Sequence, residues 1–305
     1  MGQALRAALR TVRDVQARTL AALVTAIPAL ESPFIAAGRV AARRSPLLGG
    51  LYWHAHEHLT SRLRRSGRRH RRISVRGIAL DLDVTDRTGR LHYFHDEPYE
   101  PAVLEAIHRA LSPGDVFIDI GANIGFFSVF AARIVGRSGR VFAFEPHPAA
   151  RDALVDLAAR NGVTDVIEIV PLALSDREGD ATLHLNREFT SYSTLDPLAS
   201  PMRASAAFTE SLAIRMTTMD RWMTDHPGIV PRIRCIKIDV EGTESAVLSG
   251  MTHLIERLHA PILCETSIDS EADRALIAHG FVRYQIEPGA YGNHLYRRDG
   301  ASVER

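Results

Sequence analysis

From residue 100 onward the chain alternates short apolar runs with stretches of helical periodicity, and no other feature restricts its fold so tightly. Residues 116–120, 141–145, 166–170, 233–239 and 261–265 are such runs, and most are followed by a stretch with apolar residues three to four apart. A continuous apolar run suits a strand buried on both faces, the condition of a parallel sheet with helices on either side. Gly136 and Gly162 stand where the first two helices should stop, while Ser270 with Asp273 opens a later helix that Gly280 ends. Two last β-type runs, 281–286 and 293–297, flank Pro288 and Gly289 and predict a terminal hairpin that supplies an antiparallel edge. The sum is an α/β fold built on a mixed seven-stranded sheet with helices on both faces. Between the third run and residue 233 lies a long insertion, 176–232, with alternating segments at 181–185 and 212–216. It predicts an added hairpin and a substrate-covering loop around 189–208.

The part before residue 73 is of another character. Residues 1–72 hold 14 arginines and no lysine against Asp14, Glu31 and Glu57, a net charge of +11, so the remainder carries −10 within a total of +1. Leu5, Leu9, Val12, Val15, Leu20, Leu23 and Ile27 recur at helical spacing with Arg6, Arg10, Arg13 and Arg18 between them, which predicts an Arg-rich amphipathic helical segment reaching to about residue 60. Such a helix packs on its own domain, lies on a membrane surface or pairs with a copy of itself. The arginine-dense stretch 62–72 reads as a solvated linker, and residues 73–94 as a hairpin turning at 86–89. Two parts are therefore expected, 1–72 and 73–305. Nucleic acid is not an expected partner, because the basic charge sits apart from the glycine-rich domain and has no aromatic interleaving.

The charge-free stretch 19–30 is interrupted by Pro28 and is shorter than the about 20 apolar residues a span requires. With charge continuing through Arg13, Asp14 and Arg18, no secretory signal is expected either, so a cytoplasmic protein is the reading. Cys235 and Cys264 lie in apolar runs without the close spacing of a zinc site and read as core residues.

The first strand runs into Asp119-Ile-Gly121-Ala-Asn123-Ile-Gly125 and then into a helix. A glycine-rich strand-to-helix turn admits a ligand close to the backbone. The dinucleotide spacing G-x-G-x-x-G is absent, since Asn123 takes the second glycine's place. Asp119 would repel a pyrophosphate but suits an ammonium or a hydroxyl. Glu145 ends the second strand about 20 residues on, where a carboxylate can accept hydrogen bonds from both ribose hydroxyls. The fourth run ends in Lys237, Asp239 and Glu241, whose alternation would project all three to one side of an extended segment. Lys237 is the only lysine in the chain, so this position asks for a compact ammonium rather than a guanidinium.

The segments VFIDIGANIGFFS (116–128), FAFEPHP (142–148), PLALSD (171–176) and IKIDVEGTESAVLSGM (236–251), with YEP at 99–101, resemble the FkbM family of methyltransferases. The resemblance runs in order from about residue 99 to 265 and leaves 1–72 outside. It implies a class I, Rossmann-like methyltransferase fold, S-adenosylmethionine as cofactor, and O-methylation of a hydroxyl on a sugar, glycoconjugate, polyketide or similar small molecule. It implies further that Asp119, Gly121, Asn123 and Gly125 contact the methionine portion and that Glu145, with Pro146 beside it, holds the ribose. Ala173, Leu174 and Ser175 would flank the adenine, and Glu100 would close the pocket.

For catalysis, Asp239 is the expected base or hydroxyl-orienting residue, Lys237 tunes it, and Glu241 with Glu265 orients the acceptor. His147 is a rival base. No metal belongs to the expected site, although three carboxylates would also suit a hard cation, an option the residues leave open. The alternative function is a catalytically silent domain of the same fold that binds through its basic N-terminal arm.

Overall fold

The computed structural model describes residues 3–85, 87–90, 93–94, 100–186, 193–199 and 208–298. The chain divides into two compact units, Met1–Tyr99 and Glu100–Arg305, whereas the sequence placed the boundary after residue 72.

In the first unit the helical segment is broken twice. Helix α1 spans Gln3–Ala26, α2 Glu31–Arg44 and α3 Pro46–Arg65. Pro28 ends the first run by opening a single 3-10 turn. Ser45 caps α3, its side chain accepting from the Leu48 amide, with Pro46 in the first turn where a missing N–H costs nothing. Ala17, Ala21 and Val24 of α1 are buried, and Ala21 and Val24 share a core with Leu59 and Leu63 of α3.

The arginine-dense stretch is no linker. Arg62, Arg64 and Arg65 close α3, where positive charge complements the helix dipole, and Arg71 lies on a strand. Its guanidinium grips Glu31 with both ends, at 2.6 and 2.7 Å, and the Tyr93 hydroxyl donates to the same carboxylate at 2.8 Å. Burial raises Glu31, yet these donors outweigh it and hold the acid below its ordinary value. The hairpin pairs β1, His70–Val75, with β2, Ile78–Asp83, around Arg76 and Gly77, both at positive φ. That is the backbone a two-residue hairpin turn demands. The turn expected at 86–89 is thus misplaced, since those residues follow the second strand and fall largely in a short helix α4, Arg87–Arg90.

The second unit begins with α5, Pro101–Ala110, and then alternates as expected. Its elements are β3 Val116–Ile120, α6 Phe126–Val135, β4 Arg140–Phe144, α7 Pro148–Arg160 and β5 Ile167–Val170. An insertion follows with β6 Ala173–Leu174, β7 Gly179–Asn186, β8 Phe208–Thr217 and α8 Met219–Thr224. The chain then forms β9 Ile233–Ile238, α9 Glu244–Ser249, α10 Thr252–Arg257, β10 Ile262–Ser267 and α11 Glu271–Ala278, and closes with β11 Phe281–Gln285 and β12 Tyr291–Arg298.

The seven-stranded sheet runs β11-β12-β10-β9-β3-β4-β5, and β12 is antiparallel to both its neighbours while the other pairs are parallel. The terminal hairpin therefore does not merely flank the sheet. Its second strand enters between β10 and β11. All five residues of β3 are buried, and Cys235 and Cys264 are buried free thiols of the core. The expected added hairpin is β7 against β8, which with β6 makes a separate three-stranded sheet. Of the loop expected around 189–208, only residues 193–199 and 208 lie within the described residues.

Candidate active site

β3 and β9 lie side by side and parallel, but the chain leaves β3 toward β4 on one side and β9 toward β10 on the other. A crevice opens at the carboxyl ends of two such strands. On the β3 side Gly121, Asn123 and Gly125 all adopt positive φ, of 80, 50 and 84°. The two glycines answer to the protein before any ligand. A Cβ at Gly121 would collide with the carbonyl of Asp239, and one at Gly125 with the side chain of Leu154 on α7. Asn123 tolerates its left-handed turn, and its amide donates to Glu145 Oε2 at 2.8 Å. The His147 amide donates to Oε1 at 2.8 Å. Burial pushes Glu145 up to about 7 against these two donors. Each oxygen still has a lone pair to offer a hydroxyl.

The cleft between these loops measures about 620 Å³ including its open mouth. Of the residues singled out from sequence, Gly121, Asn123, Glu145, Pro146, Ala173, Leu174, Asp239 and Glu241 line it, as does His147. Phe144, Leu172, Ala173, Leu174 and Leu183 give one end an apolar wall. Asp119, Gly125, Ser175, Glu100, Lys237 and Glu265 are not among the lining residues. Ser175 is buried, its amide bonded to the Thr217 carbonyl. His147 instead caps α7, accepting from the Ala150 amide, and burial lowers its pKa. Asp119 is buried under the glycine turn, accepting from Ser128 at 2.6 Å through Oδ2 while Oδ1 has no hydrogen-bond partner among the described residues.

At the other end of the cleft the fourth strand does not continue as far as expected. β9 stops at Ile238, and Glu241 reaches the cluster through a turn, at φ 58°, not by alternation along a strand. Glu244 shapes that turn by accepting from the Val240 and Gly242 amides at 3.2 and 3.0 Å. Even so, carboxylate oxygens of Asp239, Glu241 and Glu265 lie within 4.8 Å of one another. Lys237, buried, donates to Asp239 Oδ2 at 2.8 Å and sits 5.0 Å from the centre of the Phe127 ring.

Burial alone would lower Lys237 and raise Asp239. The ion pair outweighs it in both, so Lys237 stays charged and Asp239 is held below the ordinary carboxylate value, helped by a hydrogen bond from Glu265. The opposite happens to the partners. Burial and the charge of Asp239 push Glu265 up to about 11, and burial with Asp239 and Glu244 pushes Glu241 up to about 9. Near neutral pH the cluster thus holds one carboxylate, Asp239, between an ammonium and two protonated glutamates. Burial raises Glu100 to about 7, and its Oε2 accepts from Asn293 Nδ2 at 3.2 Å.

Several contributors had no motif to announce them. Thr194, buried in the insertion, donates its hydroxyl to the Glu241 carbonyl at 2.8 Å and pairs with His184 of β7 by two backbone bonds. Ser193, Thr194 and Leu195 line the cleft with it. Glu244 was legible only as part of a quoted motif, and Asn293 not at all.

Counted in chain order, the seven strands lie 3-2-1-4-5-7-6 with the seventh antiparallel, which defines a class I methyltransferase fold. Residues 119–290, more than half of the chain, match the model of the methyltransferase FkbM domain, and the chain belongs to that family. It is 29% identical to the hexuronic acid methyltransferase AglP of Haloferax volcanii, over 54% of this chain and 61% of that protein. It is 30% identical to the 31-O-demethyl-FK506 methyltransferase FkbM of Streptomyces tacrolimicus, over 46% of this chain and 61% of that protein. The crystal structure of an FkbM methyltransferase from Methylobacillus flagellatus superposes with a TM-score of 0.39 at 14% identity, covering 87% of this chain and 58% of that one.

S-adenosylmethionine is the cofactor of this family, and the residues fit it. Glu145 has lone pairs free for ribose hydroxyls, and the apolar wall suits a purine.

Proposed function

We propose that the chain is an S-adenosylmethionine-dependent O-methyltransferase acting on a hydroxyl of a small molecule, of the sugar, glycoconjugate or polyketide kind. One observation carries this reading: a single cleft is lined at one place by Glu145, a carboxylate with both oxygens fixed by backbone amides, and at another by Asp239, a carboxylate kept ionised by a buried lysine. Two of the relatives support oxygen as the acceptor, one named for position 31-O of its substrate and one for a hexuronic acid, while a third, matched over a shorter stretch, is named for a nitrogen of arginine.

When bound, the cofactor supplies a methyl group on a positively charged sulfur. The residues of this chain then have two tasks. They align an acceptor oxygen behind that methyl, which accounts for most of the rate, and they remove the hydroxyl proton as the new C–O bond forms and the C–S bond breaks. Asp239 is the proton acceptor. Lys237 keeps it ionised, the protonated Glu265 gives its one O–H to Asp239, and the protonated Glu241, which lines the cleft, offers a hydrogen bond that orients the acceptor.

The test is a methyl-transfer screen of sugars, glycosylated metabolites and polyketide alcohols, read by product mass, on the chain and on Asp239→Asn. The variant should lose about a hundredfold or more in turnover and keep its affinity for the cofactor. A variant with near-normal turnover refutes the base. A chain that binds neither S-adenosylmethionine nor its demethylated product is the silent domain instead.

A further inference from the structure

Helix α1 carries its side chains the wrong way round for a helix whose only task is to pack. From residue 11 on, the residues it buries are small, with Ala17 and Ala21 fully covered and Val24 4% exposed. The large ones in the same stretch face out, with Val12 55%, Val15 56%, Leu23 47% and, just past its end, Ile27 45% exposed. At 100° per residue these four, with Gln16, Thr19 and Leu20, fall on one arc of about 140° that contains no charged residue. Arg13 and Arg18 lie at its two sides, both outside the arc, and Arg18 is exposed though paired with Asp14 at 2.8 Å. The stripe runs about 22 Å along the helix.

We infer that this face of α1 docks on a membrane surface bearing anionic lipid. Two observations select that occupant. The first 72 residues carry +11, every permanently charged basic side chain among them is an arginine, which can fork onto phosphate oxygens, and two of these, Arg13 and Arg18, flank the stripe. A second copy would bring the same positive charge to the same face, so self-association meets repulsion where an anionic surface meets attraction. No single helix among the described residues is long and apolar enough to cross a membrane, and the one pair that passes by length and composition, Thr11–Ala26 with Pro28–Arg44, is bent by 119°. An uncharged arc flanked by arginines is the pattern of a helix lying in the interface, its apolar face among the acyl chains and its guanidiniums at the headgroups.

The experiment uses the full chain in vesicle flotation, with phosphatidylcholine alone and mixed with phosphatidylglycerol, at low and at raised salt. The expected result is flotation with the mixed vesicles, weakened by salt, and about a tenfold loss of affinity in Leu23→Glu and in Val15→Glu. Both sites are exposed, so the variants should keep the melting temperature of the parent, and Val12→Glu replaces either one that does not. Equal binding to both vesicle types, or none to either, overturns the proposal. So does a lipid-free dimer, seen by light scattering, that Leu23→Glu disperses, because a second copy then covers the face.

Discussion

Lys237 and Glu265 show how far a single charge sets the chemistry of its neighbours. The ammonium fixes the negative charge on Asp239, and that charge, with burial, makes it costly for Glu265 to ionise, so the proton stays on Glu265 up to about 11. A consequence follows for mutagenesis that inspection of three adjacent acids would not suggest. Glu265→Gln replaces a neutral donor by a neutral donor, and it should keep turnover within about threefold of the parent at neutral pH, whereas Asp239→Asn removes the one ionised oxygen pair. Steady-state kinetics of the two side by side decide it. A collapse of Glu265→Gln comparable to Asp239→Asn would mean that Glu265 works as a carboxylate. Arginine in place of Lys237 would have to fit a planar fork into a fully buried space beside Phe127, which explains why the chain's only lysine stands here.

Among the elements, the insertion is tied to the catalytic turn through the side chain of Thr194. Glu241 holds a left-handed backbone conformation that an ordinary residue adopts at a cost of about 1–3 kcal/mol unless its surroundings fix it. Thr194 supplies one of those fixings by donating to its carbonyl. Thr194→Val keeps the shape and deletes the donor, so the acceptor KM should rise about fivefold, the worth of one hydrogen bond, while cofactor affinity stays unchanged. Thr194→Ser should restore it. A loss of cofactor affinity in the valine variant, or no rescue by serine, would show that the residue merely packs.

This bond also marks where sequence reasoning ends. The strands were legible because each is apolar on both faces, and the nucleotide-type turn because glycines and Glu145 keep a fixed spacing. The path of Glu241 was not, since it depends on Glu244 three residues on and on Thr194, bridged to a strand of another sheet. Nor was the cause of Gly121, whose steric partner Asp239 is more than a hundred residues away. The arginine-dense stretch misled for a like reason, because Arg71 meets Glu31 forty residues earlier.

At the scale of the whole chain, the site's carboxylates leave their mark on stability. Glu100 and Glu145 are raised by burial from 4.5 to about 7, so the fold holds their protons more firmly than the unfolded chain does. Their contribution to stability is complete below 4.5 and is lost as pH climbs to about 7. Calorimetry of the cofactor-free chain should therefore show the parent losing melting temperature relative to Glu145→Gln across that window, with the gap constant above it. Curves that stay parallel from acid to neutral pH would mean that Glu145 ionises normally in the fold.

The site is also framed by a weld that no motif names. At Gly250, which ends α9, a Cβ would run into the carbonyl of Ser175 and crowd Thr218, while the Gly250 carbonyl accepts from the Asp220 amide. Asp220 in turn accepts from the amides of His253 and Leu254. The chain leaving β6 and β8 is consequently riveted to the turn between α9 and α10. The accessory sheet is thereby anchored at its root, and the stretch joining β7 to β8 carries Thr194 from that anchorage to the catalytic turn.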